Sequence, residues 1–536
     1  MSDGSEMEVK LAVADSRLFD LIVAHPEICA MKMGTGSVTQ SFEALYYDTP
    51  GFALQQNGIA YRVRHEGEQW IATVKSDIES GGGFSNREEW NEPVEGPEPS
   101  LKPFIGTYIG DRLLMAVGQE RFQLLFSTRF MRTVTMLLTP NGSQIEMAMD
   151  RGTIWSGMEG TPISELELEL KSGTISDLLQ LSGWIAGQWH LLPEAKSKFA
   201  RGLELLRSNS PGIPNFFPDN QQKEIPKPTT IALSNYSISS IFASQKRLLT
   251  EQAASESVRE LRIQIRSLRS LLKFLQPTLA KEERQLHYEK MRQWGTLLGS
   301  IRDIDILVAV WNKFSVHFNP VFSSSEYWLE TLKGRRVFLM EEVVHRIEQG
   351  ELTKQIFELQ SWLYQESEQL ANEEEEQPSE SQLLKMLLEA IKELREDIRA
   401  VECTSEIKTI HRLRIRIKQL RYVQEALNRV VRLRDEEFTV ALKKTQSYLG
   451  KIHDNYQIKW LLEKFDASNI DHKLSLEKEL FISWCNRDTT EYLVNLPKVT
   501  ESFRRAAKLR LCTLTALRTN RRTKSGHHPS AHEPGK

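Results

Sequence analysis

Residues 165–171 read Glu-Leu-Glu-Leu-Glu-Leu-Lys, a charged residue alternating with leucine over the whole stretch. A period of two marks an extended strand, because successive side chains point to opposite faces. Glu165, Glu167, Glu169 and Lys171 therefore share one face, and Leu166, Leu168 and Leu170 the other. The same alternation stands near the start of the chain, where Glu6, Glu8 and Lys10 interleave with Met7, Val9 and Leu11. Carboxylates in a row repel unless a cation sits among them. These two strands thus point first to a divalent metal and to a polyanion that it would bridge.

Outward from these strands, the segment around Tyr46 and Tyr47 and residues 59–65, 69–75, 124–138 and 145–150 also read as strands, with Gly and Asn between the runs. Residues 1–207 are expected to form an antiparallel sheet or barrel, interrupted by helices near 16–24 and 175–187. Residues 208–228 hold Pro211, Pro214, Pro218, Pro226 and Pro228 among polar residues and read as a linker. Beyond it the apolar period lengthens to between three and four, so residues 229–517 are expected to be all α-helical. The chain is therefore read as α+β and multidomain. The acidic run Glu373–Glu376, followed by Gln377 and Pro378, reads as a solvated loop. Residues 518–536 read as a disordered tail, whose His527, His528 and His532 are not expected to form a functional metal site.

The chain has 536 residues, enough for about two to three domains. Its 69 basic and 72 acidic residues leave a net charge of −3, so no global field favours nucleic acid and any anion site must be a local concentration of charge. Cys29, Cys403, Cys485 and Cys512 are scattered with no CxxC pair, which argues against a zinc or disulfide framework and fits a reducing compartment. The acidic start and the lack of a run of roughly 18 apolar residues leave neither export nor membrane insertion expected. Cytosol is the expected location.

Arg62 and Arg64 lie two apart on one strand and share a face; Lys75 ends the next strand. Arg87, Arg129, Arg132, Lys196, Lys198 and Arg201 add cations, against Glu6, Glu8, Glu89, Glu146, Asp150, Glu165, Glu167 and Glu169. One such strand alone is most simply a wet sheet face. Together, carboxylates concentrate on some strands and Arg or Lys on others. Closing the sheet with charge inward would give an acidic wall and a basic wall, a layout for phosphoryl transfer by positioning and electrostatics.

The ExExK of Glu6, Glu8 and Lys10, the pair Arg62 and Arg64, the "TVK" ending at Lys75, the Glu-rich strand at 165–169 and the "KSKFARG" from Lys196 together resemble the CYTH superfamily, the triphosphate tunnel metalloenzymes. That resemblance implies an eight-stranded tunnel, a divalent cation (Mg²⁺ or Mn²⁺), and hydrolysis or cyclisation of a triphosphate. It implies metal-facing carboxylates at Glu6, Glu8, Asp150 and a pair from Glu165, Glu167 and Glu169, the register of that pair staying open. Lys10, Arg62, Arg64, Lys75, Arg129 or Arg132, Lys198 and Arg201 would cradle phosphate. Arg129 and Arg132 fall on opposite faces of a regular strand, and Arg129, ending "STR", is the preferred of the two. Some tunnel phosphatases pair a Tyr and a Lys to activate water; Tyr46 and Lys75 would take those roles here.

In the second half, Arg259, Arg262, Arg266, Arg269 and Lys273 are spaced three or four apart and form one basic helix stripe. His411, Arg414, Lys418 and Arg421 repeat the spacing. Like charges so placed weaken a helix unless an anion compensates. Leu261, Ile265, Leu268 and Leu272 back the first stripe, and Leu413, Ile417 and Leu420 the second. "LGSIRDIDIL", with Gly299, Asp303 and Asp305, follows the first; "LGKIHDNYQI", with Gly450 and Asp454, follows the second, so the helical unit is read as duplicated. These residues resemble the CHAD domain over about 230–515, a module associated with inorganic polyphosphate; its usual leading His is kept as His411 and replaced by Arg259 in the first copy.

The expected protein is a cytosolic metal-dependent inorganic triphosphatase whose helical domain binds inorganic polyphosphate and could localise it to polyphosphate granules. No nucleic-acid or membrane partner is expected. The alternatives are a catalytically idle polyphosphate-binding adaptor, or a tunnel enzyme acting on thiamine triphosphate or ATP.

Overall fold

In the computed structural model, residues 4–34, 36–81, 84–209, 229–251, 254–317, 325–372, 380–402, 406–430, 435–464 and 472–525 are described. Residues 210–228 of the expected linker, the Glu373–Glu376 run and the last eleven residues of the expected tail, 526–536, lie outside them.

The strands are β1 (Gly4–Ala12), β2 (Val38–Asp48), β3 (Ile59–Glu66), β4 (Gln69–Gly81), β5 (Phe84–Val94), β6 (Gln123–Leu138), β7 (Gln144–Ser156), β8 (Glu159–Ser172) and the two-residue β9 (Leu192–Pro193). They lie in the order β5-β4-β3-β2-β6-β7-β8-β1-β9, and β1 also pairs with β5 over Gly4–Val9, so hydrogen bonding passes from strand to strand and back to its start. Every pairing in this ring is antiparallel. The sequence places all but β5 and β9. β5 escapes periodicity because Arg87, Glu88, Glu89, Asn91 and Glu92 offer no apolar alternation; its ladders to β4 and β1 specify it instead.

Around the strands stand α1 (Leu18–Ala24), α2 (Pro26–Met31), α3 (Ala53–Gln56), α4 (Tyr108–Val117), α5 (Ile175–Gln188) and α6 (Lys198–Asn209). Much of the core sits outside the ring of strands, while a second cluster, with Phe42, Tyr46, Phe130 and Leu203, reaches its interior. Tyr61 and Val63 of β3, alternating with Arg62 and Arg64, pack with Val74, Phe104, Ile109 and Leu113 beneath α4. Leu166 and Leu168 are fully buried, as are Leu178 and Leu179 of α5, which packs against β1 and β8. Apolar faces outward under helices leave the charged faces to line the interior.

The second half is helical: α7 (Thr229–Thr250), α8 (Ser255–Phe274), α9 (Lys281–His317), α10 (Ser325–Glu348), α11 (Glu351–Asn372), α12 (Glu380–Glu402), α13 (Ile407–Val430), α14 (Glu436–Lys464) and α15 (His472–Ser525). Helix α15 runs eight residues past the limit expected at 517, since nothing before Gly526 breaks it. The chain divides into two compact units, and the strand-rich one also takes in Ile238–Lys246 and His345–Gln365. There Gly183 and Gly187, four apart on α5, admit α11: a Cβ on Gly187 would lie 2.7 Å from Lys354 Cδ, and Ser176 Oγ meets Ser361 Oγ at 2.8 Å. In the other unit α8 packs on α9 and α13 on α14, with α8 also against α13, which is the duplicated pair expected. Leu261, Ile265, Leu268, Leu413 and Ile417 are fully buried behind the basic stripes. Among the described residues no helix is long and apolar enough to cross a membrane.

Candidate functional site

The ring of strands encloses a cavity of about 810 Å³, lined by Glu8, Lys10, Tyr46, Arg62, Arg64, Lys75, Arg132, Glu146, Glu167, Glu169, Lys171 and Lys198 among others. Strand register arranges these charges in tiers. Glu169 of β8 lies opposite Glu8 of β1 on one side and Glu146 of β7 on the other, so three carboxylates stand abreast. Lys171 Nζ reaches Glu169 at 2.7 Å and Glu146 at 3.4 Å, and Lys10 Nζ reaches Glu8 at 2.7 Å. Glu6 belongs to the same β1 face, but its side chain lies outside the described residues.

The next tiers are Glu167 opposite Lys10 and Glu165 opposite Asp150. Asp150, Glu165 and Glu167 can each bring an oxygen within 4.8 Å of the others, the grouping of a cation site. Protein cations already fill that space. Lys198 Nζ bonds Asp150 at 2.6 Å, Glu167 at 2.9 Å and also Glu165; Arg132 grips both Asp150 oxygens at 2.7 Å and bonds Glu167; Arg201 bonds Glu165 and Lys10 bonds Glu167 at 2.8 Å. Burial would raise the Glu167 carboxyl, but Lys10, Lys198 and Arg132 hold it well below the usual range. Burial pushes Glu165 up, against Lys198 and Arg201. Burial opposes the charge on Lys198 and Arg132, and the carboxylates reverse this, raising both. Asp150, Glu165 and Arg201 form the packed floor behind the cavity rather than its lining.

Arg129 corrects the expectation. It lies on the outer face, its side chain 70% exposed and bonded to Glu43 at 2.9 Å, whereas Arg132 lines the cavity. β6 is regular there, pairing Arg129 with Glu43 and Arg132 with Gln40, so alternation decides between them. The register shift between β2 and β6 falls instead at Tyr46 and Tyr47, where Leu125 of β6 is the extra residue. Tyr46 lines the cavity and stacks on Phe126 at 4.6 Å, while Tyr47 donates its hydroxyl to Pro97 O at 2.9 Å. Lys75 Nζ lies 2.6 Å from Glu89, which also meets Arg62 at 3.5 Å. Burial and the neighbouring Arg62 lower Arg64. Glu146 and Lys171, which no motif singled out as site residues, line the cavity because β7 and β8 carry them at matching parity; cross-strand pairing was the available signal.

In the helical unit the two stripes meet. Arg262 and Arg266 of α8 face Arg414 and Lys418 of α13 closely enough to disfavour one another's charge. Burial first, then Arg266, Arg414 and Arg262, push the Lys418 ammonium down to about 6; burial and Arg266 push Arg262 down to about 10. Gly295 and Gly299, one turn apart on α9, leave room for α8's arginines: their added Cβ atoms would lie 3.1 Å from Arg269 Nη1 and 3.6 Å from Arg262 Nε. His411 stacks on His453 with centroids 4.6 Å apart, and burial and that neighbour lower it. Arg269 donates to Tyr288 at 3.0 Å, and Arg421 to Gln446 at 2.6 Å. Arg259 stands apart, exposed and paired with Glu256. Tyr288 and His453 were missed, each being a lone residue outside a stripe.

A charged β-tunnel joined to a duplicated helical bundle is the class that fold and site define. Residues 4–202 match the CYTH domain and residues 237–462 the CHAD domain, and the chain is a CYTH domain followed by a CHAD domain. Over 161 residues it is 33% identical to an inorganic triphosphatase of Haemophilus influenzae, a match covering 30% of this chain and 44% of that protein. The chain thus spans less than half the length of that curated relative. Solved structures similar to it include an adenylyl cyclase candidate from Hippeastrum with a dominant triphosphatase activity (18% identity, 38% of this chain, 96% of that one, TM-score 0.29). Another is the CHAD domain of Ricinus communis (18% identity, 52% of this chain, 90% of that one, TM-score 0.39).

Proposed function

We propose that the CYTH domain hydrolyses inorganic tripolyphosphate with a divalent cation, Mg²⁺ or Mn²⁺, and that the CHAD domain binds inorganic polyphosphate. The observation that carries this is the row Glu8, Glu169 and Glu146 facing the same cavity as Arg62, Arg64, Lys75 and Arg132. A site that only bound an anion would gain nothing from carboxylates abreast, whereas oxygen donors so grouped suit a hard cation. Those three, with Glu6 on the same strand face, would hold it; when bound, the ion would neutralise phosphoryl oxygens and polarise water. Asp150, Glu165 and Glu167 then serve by fixing Lys10, Arg132 and Lys198.

The chain's own part is positioning. Arg62, Arg64 and Arg132 bind phosphate oxygens and orient the substrate for in-line attack, and Lys10 and Lys198 add charge where the leaving phosphate forms. Lys75, anchored by Glu89, and Tyr46 would hold the attacking water. An inorganic chain is favoured over a nucleotide because two of the cavity aromatics are already covered by cations: Arg64 and Arg132 lie over Phe42 at 5.2 and 5.9 Å, and Lys198 over Phe130 at 5.0 Å. The named triphosphatase relative supports the same reading. The stripes converging from α8 and α13 support the polymer site, with granule association in the cytosol as its setting. Phosphate release from tripolyphosphate, ATP and thiamine triphosphate, each with and without Mg²⁺ or Mn²⁺, tests the substrate. Tripolyphosphate is expected to be preferred; preference for either organic triphosphate would reassign it.

A further inference from the structure

Helix α6 presents Ala200, Leu203, Glu204 and Arg207 to the cavity, one face at three- and four-residue spacing. Lys198, at its start, is held by Asp150, Glu165 and Glu167, and Lys196 by Glu204. Arg207 differs. Its Nε and Nη2 are buried and have no hydrogen-bond partner. Nine residues beyond Lys198, it stands about 13 Å further along the helix. Gly202 fixes that path, since a Cβ there would fall 2.2 Å from the Phe126 ring. Phe126 pairs with Tyr46 at one end of the β6 face, whereas Met136 pairs with Glu146 of the carboxylate row near the other. The cavity is therefore polar along its length. It has carboxylates toward one end, paired cations between, and an unmatched guanidinium toward the end covered by α6.

We propose that Arg207 binds the terminal phosphate of a linear polyphosphate at the end remote from the carboxylate row, and so reads chain length. This rests on the tunnel being the phosphate site. A half-buried guanidinium whose buried Nε and Nη2 lack an acceptor is matched by a phosphate group, which accepts from both side by side. On this assignment a three-phosphate chain gains the Arg207 contact, and pyrophosphate held at the central cations lacks it.

The full-length wild type, Arg207→Gln and Arg207→Lys are compared. Arg207→Gln should raise the KM for tripolyphosphate about tenfold with kcat nearly unchanged, and Arg207→Lys should recover part of the loss. Binding isotherms recorded without divalent cation should show tripolyphosphate weakened and pyrophosphate unchanged in Arg207→Gln. Unchanged tripolyphosphate binding, or equal weakening of both ligands, overturns the assignment. Should the wild type release no phosphate, the hydrolase reading fails, and the metal-free isotherms still decide Arg207.

Discussion

Arg129 and Arg132 differ by three positions and separate completely in consequence. Arg132 serves two buried carboxylates, so Arg132→Gln leaves Asp150 to Lys198 alone and Glu167 to Lys198 and Lys10, and should cost about 3 kcal/mol. Arg129→Gln should change stability by no more than about 0.5 kcal/mol, as exposed pairs do. Denaturant melts of both variants check this, and similar losses would mean the parity of β6 is misassigned. The residue types of the tunnel were legible from alternation alone, because a period of two sorts inward from outward side chains. What alternation could not show is which inward carboxylates are already neutralised. Glu169 and Glu165 look equivalent in the sequence, yet one lines the cavity and the other is locked beneath Lys198 and Arg201. Partners from distant strands make that difference.

Among elements, α6 and α13 carry the sharpest expectations. Gly202→Ala should force α6 off Phe126, costing about 1–3 kcal/mol by overpacking and raising the KM for tripolyphosphate. A normal KM would show that α6 does not shape the cavity. On α13, Lys418 should make the proposed polymer binding depend on pH. With its ammonium pushed to about 6, it is mostly neutral at pH 7, and a bound polyanion favours the charged form, so binding takes up a proton above pH 6. Affinity should level off below about pH 6 and fall as pH rises above it, read by calorimetry in buffers of different ionisation enthalpy. For folding the sign is opposite to an ordinary ion pair. The fold depresses this lysine from 10.5, so the anion-free domain loses stability as pH falls from 10.5 to about 6. Lys418→Met should raise the anion-free Tm at pH 7 and weaken polyphosphate binding. The stripes were plain in the sequence because helix spacing exposes them; that they face one another depends on α8 packing against α13, which spacing alone cannot give. Strand β5 was lost for a related reason, its pairing being set by its neighbours.

Over the whole molecule, the period change near residue 229 told the two parts of the chain apart. It did not tell that Ile238–Lys246 and His345–Gln365 belong to the compact unit of the strands, since nothing in a helical period names the partner of its apolar face. Reversing charge at Arg414, Lys418 and Arg421 should reduce binding of long polyphosphate at least tenfold while tripolyphosphate turnover is retained. Joint loss would mean that the two activities are not separable. In the proposed function the carboxylate row serves a cation acting on phosphate. Phosphate release from tripolyphosphate by the full-length protein and by Glu8→Gln, with Mg²⁺ or Mn²⁺ and with chelator, tests it most directly. Turnover should require the divalent ion and fall at least about a hundredfold in Glu8→Gln. Release independent of added metal, or unchanged by Glu8→Gln, would contradict it.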